Sequence, residues 1–165
     1  MFLHSFLTFS QTIINLILRR FFMNEKSQKA INDVYKNAHL ALQSISDILP
    51  AVDDDGLKTQ IKEQYEGYEK IIGEISVFMK ENGLEPKDVN VFKKAMMWGS
   101  IKMKTAFNNS KNQIADMMIK GTVMGINELT AMKNESETLD EQVVEFVIKL
   151  LSLEEKYERK LKTYL

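Results

Sequence analysis

Apolar residues recur along most of this chain at alternating steps of three and four, the spacing of a helix with one buried face. From Glu25 to Leu49 the seam runs Ile31, Tyr35, Ala38, Leu42, Ile45 and Leu49, widened by Val34, Ala41 and Ile48. Pro50 ends this helix, because proline cannot continue one. One of Asp53, Asp54 and Asp55 can cap the next. The second helix, Leu57 to Asn82, has Leu57, Ile61, Gln64, Tyr68, Ile71, Ile75 and Phe78 on its seam and a stop at Asn82-Gly83. Asp88 to Asn134 is too long to match these neighbours as one straight helix. A break near Asn108-Asn109-Ser110 divides it into a shorter amphipathic helix, Asp88 to Phe107, and a bundle helix, Ser110 to Lys133. The last helix starts near Ser136 or Thr138, and its seam is Val143, Val147, Leu150, Glu154, Tyr157, Leu161 and Tyr164. The pattern predicts an all-α antiparallel four-helix bundle, with the short helix added between bundle helices two and three.

Composition agrees. Two Pro and seven Gly in 165 residues leave little room for the turns of a β fold. The length suits one domain with a real core. With no Cys, thiolate metal sites, iron–sulfur clusters, disulfides and thiol catalysis are excluded, which fits a cytoplasmic protein. A net charge of −1 argues against a protein that is basic throughout, and nucleic acid is not an expected partner.

Residues 1–22 stand apart. They carry no charge before Arg19 and Arg20, and polar residues from Ser5 to Asn15 dilute their apolar run. A signal peptide would place its positive charge before the apolar run. Met23-Asn24-Glu25-Lys26 reads as a natural start, and Arg19-Arg20 encoded AGG-AGG would form a ribosome-binding site ahead of it. The preferred expectation is a leader outside the domain, with residues 23–165 forming the bundle. The alternatives are a weak membrane anchor with the arginines at the headgroups and a genuine packed helix.

A Glu-rich bundle raises the question of a di-metal site, which takes Glu-x-x-His from two of its helices. The only histidines, His4 and His39, do not follow a Glu by three positions, so that ligand set cannot form. Glu63, Glu66 and Glu69 fall on an outer, solvated face. Glu154 alone lies on a seam, and a buried carboxylate needs a partner or a metal. A minimal metal set would draw on Glu154, Glu158, His39, Asp116 and Glu128, but Glu154 and His39 differ by roughly 9 Å in height at 1.5 Å per residue. No cofactor is expected, a metal ion being the alternative.

Two other features invite a role. Lys87, Lys93, Lys94, Lys102, Lys104 and Lys111 are opposed only by Asp88 and interleave with Met96, Met97 and Trp98. Lys93, Lys94, Lys102, Lys104 and Trp98 thus form a candidate interaction surface for an acidic partner or an anionic membrane, against a plain reading as a helix capping the bundle. Gly121 and Gly125 lie one turn apart in a helix, where each costs about 1 kcal/mol against Ala. They imply close helix packing, with Gly121→Leu expected to be severely destabilising.

Trp98-Gly99, Ile101-Lys102-Met103-Lys104-Thr105, Ile114-Ala115-Asp116-Met117-Met118-Ile119-x-Gly121 and Met124-Gly125-Ile126 are similar to a family of small bacterial helical proteins. Leu150-Leu151-x-x-Glu154-Glu155 and Leu161-Lys162-x-Tyr164-Leu165 are similar too, so the likeness runs from about Met23 to the end. It implies a ferritin-like bundle in shape and supplies no activity and no catalytic residue. The expected function is non-enzymatic, through a protein partner or a second copy of the chain. The alternatives are a carboxylate bundle that holds a metal or small ligand at Glu154, and a protein of the membrane surface.

Overall fold

The structure is a computed structural model that describes residues 23–86 and 110–165. Four α-helices make up nearly all of these: α1 Glu25–Ile48, α2 Asp55–Glu81, α3 Lys111–Asn134 and α4 Glu141–Leu161. Residues 1–22 and the expected amphipathic helix at 88–107 lie outside the described residues.

Each helix starts where local chemistry can satisfy its first amides. Asn24 accepts from Ser27 N at 2.8 Å, and Asp54 accepts from Leu57 N at 2.8 Å, so Asp54 is the capping member of the aspartate run. Ser110 and Asp140 occupy the cap positions of α3 and α4 without a capping side-chain bond. The Asp140 amide instead donates to the buried Ser27 Oγ at 2.7 Å, which ties the start of α4 to the start of α1. At the end of α2, Gly83 takes the left-handed conformation (φ 65°) and Leu84 N donates back to Met79 O at 2.8 Å.

Leu49–Asp54 and Glu135–Asp140 close two tight hairpins, α1/α2 and α3/α4. Packing of α1 on α4, α2 on α4 and α1 on α3 joins them; the last two pairs are antiparallel, while α1 and α4 run in the same direction from their shared starting end. Lys149–Glu74 and Lys160–Glu63 (2.7 Å) join the late part of each partner to the early part of the other. Lys111–Asp54 (3.7 Å) and Asn112 Nδ2 donating to Leu165 O (3.1 Å) put the starts of α2 and α3 at one end with the C-terminus. Helix α2 therefore ends, and α3 begins, at opposite ends of the bundle.

The seams of α2 and α4 are buried at every expected position from Leu57 to Phe78 and from Val143 to Leu161, including Gln64 and Glu154. On α1 the buried face is rotated from the expected seam. Ile31, Val34, Ala38, Ile45 and Ile48 are buried as expected, and Ser27, Ala30 and Asn37 join them, whereas Tyr35, Leu42 and Leu49 are only half-buried. Among the described residues no helix is long and apolar enough to cross a membrane.

The close approach of α2 and α4 depends on Gly67. A Cβ there would collide with the Tyr157 hydroxyl, come within 3.1 Å of Tyr157 Cζ and within 3.4 Å of Leu153 Cδ1. Tyr157 uses that space to donate to the Glu63 carbonyl at 3.2 Å. Gly67→Ala is therefore expected to destabilise by about 1–3 kcal/mol, the overpacking range, although Ala is the better helix former. In urea unfolding, combination with Tyr157→Phe should recover part of that loss. Simple addition of the two losses would mean that the contact does not set the spacing.

Candidate functional site

Three helices converge on Glu154. The side chain is 1% exposed, and its Oε2 has no hydrogen-bond partner. Tyr68 on α2 is placed to donate to the carboxylate, and Tyr157, one turn along α4, packs its ring 5.6 Å from that of Tyr68. Gln64 on α2, also 1% exposed, leaves its Nε2 unpaired. From α3, Glu128 adds a second carboxylate, whose Oε2 accepts from Asn37 Nδ2 of α1 at 3.5 Å. Neither Glu154 nor Glu128 has an ion pair among the described residues.

Gly125 makes this possible. A Cβ built on it would overlap Glu154 Oε2 and lie 2.9 Å from both Cδ and Oε1. The close-packing role expected of Gly125 thus has a particular object, the carboxylate of α4. Gly121 requires a correction. It is exposed, and its added Cβ meets nothing within 4 Å. The two glycines share a nominal face, but only Gly125 touches α4, whereas Gly121 borders open space between α3 and α1.

Burial pushes the Glu154 carboxyl up to about 8 from an ordinary value near 4.5. The Tyr68 hydrogen bond opposes that rise, and the Glu128 charge adds to it. The group is therefore mostly a neutral acid at pH 7. Burial, and then the charge of Glu154, also drive the Tyr68 phenol well above its ordinary range, and burial pushes Tyr157 to about 12.

The carboxylate forms part of the floor of a cleft of about 1170 Å³ between α1 and α3. Ala30, Ala41, Ile45 and Ile48 line one wall, and Met117, Met118, Met124, Met132 and the two glycines line the other, with Gln64, Tyr68 and Glu154 below.

The other candidate residues do not join the site. His39 packs edge-on against Tyr35 with ring centroids 4.4 Å apart, and burial lowers its pKa. Glu158 pairs with Lys162 at 2.6 Å, and Asp116 pairs with Lys120 at 2.6 Å on the surface. Of the five residues weighed as metal ligands, the structure brings only Glu154 and Glu128 near each other. No group of three His, Asp or Glu side chains among the described residues could hold a metal ion. Lys93, Lys94, Lys102, Lys104 and Trp98 lie outside the described residues. Sequence reading missed Asn37 and Gly67; a tyrosine partner for a buried Glu154 is among the readings the sequence allows, and Tyr68 is that tyrosine. Gln64 and Tyr68, polar groups one turn apart on an otherwise apolar seam, were the available signal.

The fold is similar to a crystal structure of a DUF305 fragment from Deinococcus radiodurans, with a TM-score of 0.68 over 86% of this chain and 95% of that one. Sequence identity is 11%, so the likeness speaks for the fold alone. No family model and no curated protein matches the sequence.

The Glu154 environment fixes a pH dependence. The unfolded carboxyl ionises near 4.5 and the folded one near 8, so the folded state holds the extra proton between them. The stability that this group contributes is present in full below pH 4.5 and is lost as pH rises through 8. The fall amounts to a few kcal/mol, at about 1.4 kcal/mol per pKa unit. Glu154→Gln should flatten that part of the stability curve, with its advantage over the native chain growing from pH 5 to 9. Equal pH profiles in urea titrations would refute this. Gly125→Ala should cost about 2–4 kcal/mol at pH 7. A double-mutant cycle with Glu154→Ala should show a coupling of about 1 kcal/mol or more.

Proposed function

We propose that this protein is a non-catalytic docking module whose α1/α3 cleft receives an amphipathic helix from a protein partner. The shape of the cleft carries this reading. Its lining runs along α1 from Lys26 to Ile48, about 33 Å at 1.5 Å per residue. Its volume of about 1170 Å³ exceeds the 300–1,000 Å³ or so typical of small-molecule pockets. A long apolar trough is the form in which a helix presents its i, i+3, i+4 and i+7 side chains to a receptor. Four methionines on one wall supply the adaptable, polarisable contacts common at such surfaces. The rim mixes Lys26, Lys29 and Asp33 on α1 with Glu128 and Glu135 on and after α3, which suits a helix with charged flanks of both signs.

Gly121 gives a direct test, because a side chain there enters the cleft without striking the core. Gly121→Leu should keep or raise the melting temperature, since it replaces a mid-helix glycine worth about 1 kcal/mol. It should weaken binding of a fluorescent amphipathic helical peptide of about 20 residues, long enough to span the cleft at 1.5 Å per residue. We expect a loss of about tenfold or more in fluorescence anisotropy titrations. Binding by the native chain with no loss in the variant would place the peptide elsewhere, and no binding by either would remove the reading. Self-association of the native chain, abolished by Gly121→Leu, would assign the cleft to a second copy instead.

A further inference from the structure

We infer that the floor of the α1/α3 cleft is a binding site for a primary ammonium group carried on an apolar stem. Three observations converge on it. Glu154 contributes to the lining of the cleft, is 1% exposed, and its Oε2, packed against Gly125, has no hydrogen-bond partner. A second carboxylate, Glu128, stands close enough to disfavour charge on Glu154, and no cation among the described residues forms an ion pair with either. The walls leading to them are alanine, isoleucine and methionine. A buried carboxyl with one unpaired oxygen is costly in either protonation state. An ammonium group offers three donors and a positive charge, enough to engage Glu154 and Glu128 together, while an alkyl stem fills the apolar walls. An anion would meet two carboxyls, and a bare metal ion would find too few ligands.

The ionisable groups at this floor are Tyr68 of α2 and Glu154 itself on α4, with Glu128 of α3 exposed at the rim above them. Helix α1 contributes Asn37, with Asp33 and Lys36 lining the cleft. Arrival of a cation favours ionised Glu154, which is largely neutral at pH 7, so binding expels a proton to solvent. In a complex, a lysine of the docked helix would supply the ammonium group. Only that last step rests on the docking reading; the site for a free amine does not.

Calorimetry with n-hexylammonium, n-hexanol and hexanoate tests the site. At pH 7 hexylammonium should bind about tenfold or more tightly than hexanol, and hexanoate should not bind. Titration in two buffers of different ionisation enthalpy should show proton release by the native protein. Glu154→Gln, which is expected to fold at least as well, should lose about tenfold in hexylammonium affinity and lose the proton release. Its hexanol affinity should be unchanged. Hexanol binding as tightly as hexylammonium, or hexylammonium binding unchanged in Glu154→Gln, would overturn the proposal. Two helical peptides that differ only in a central lysine or norleucine separate this inference from docking. Hexylammonium binding with neither peptide bound would keep the floor site and remove helix docking. Equal binding of both peptides would keep docking and remove delivery of the cation by a lysine.

Discussion

A carboxyl group at a core position of α4 is the constraint around which the bundle is arranged. Glu154 sits where the heptad pattern calls for an apolar residue, flanked by Leu150 and Tyr157 on the same buried stripe. Desolvating a charge there would cost several kcal/mol, so the group remains largely protonated and its neighbours are polar or small. Tyr68 is placed to donate to it, and Gly125 leaves room for it. One turn along, Tyr157 makes the same demand of α2, which Gly67 meets. Two side chains of one helix therefore set how closely α4 approaches α3 and α2.

The remaining geometry follows from that arrangement. The Ser27–Asp140 hydrogen bond ties α1 to α4 at their shared end. A cleft lies between α1 and α3, and Glu154 is part of its lining. The ion pairs that decorate the other faces, such as Lys29–Asp33 and Lys120–Asp116, are exposed and contribute little, on the order of 0–1 kcal/mol each. The specificity of the fold resides in the buried polar contacts and the two glycines, and that of the proposed site in the same atoms.

Much of this was legible in the sequence because α2 and α4 have strict seams. Every residue from Leu57 to Phe78 and from Val143 to Leu161 that the heptad rhythm selects is buried. Glu154 was visible as the one carboxylate in phase with a seam. Helix α1 was harder, since Ala, Ser and Asn can serve either face. Their selection depends on a neighbour that periodicity does not reveal, so the face was placed one strip too far toward Tyr35 and Leu42. The glycine pair was misread in part for a similar reason. Spacing of one turn shows that Gly121 and Gly125 share a face, but not where that face leaves α4 and begins to border a cleft. The contribution of Gly67 depends on the height of Tyr157 on another helix, which only the packed structure supplies.

Glu154 is a buried, largely neutral acid at physiological pH, and a site-resolved titration measures that state. The carboxyl carbon of 13C-labelled glutamate can be followed by NMR across pH 4 to 10, with the Glu154 resonance assigned by its absence from Glu154→Gln. The structure predicts a midpoint near 8 for that resonance. A midpoint close to the ordinary 4.5 would contradict the account, because a carboxyl that ionises freely there is neither desolvated nor held as the structure places it.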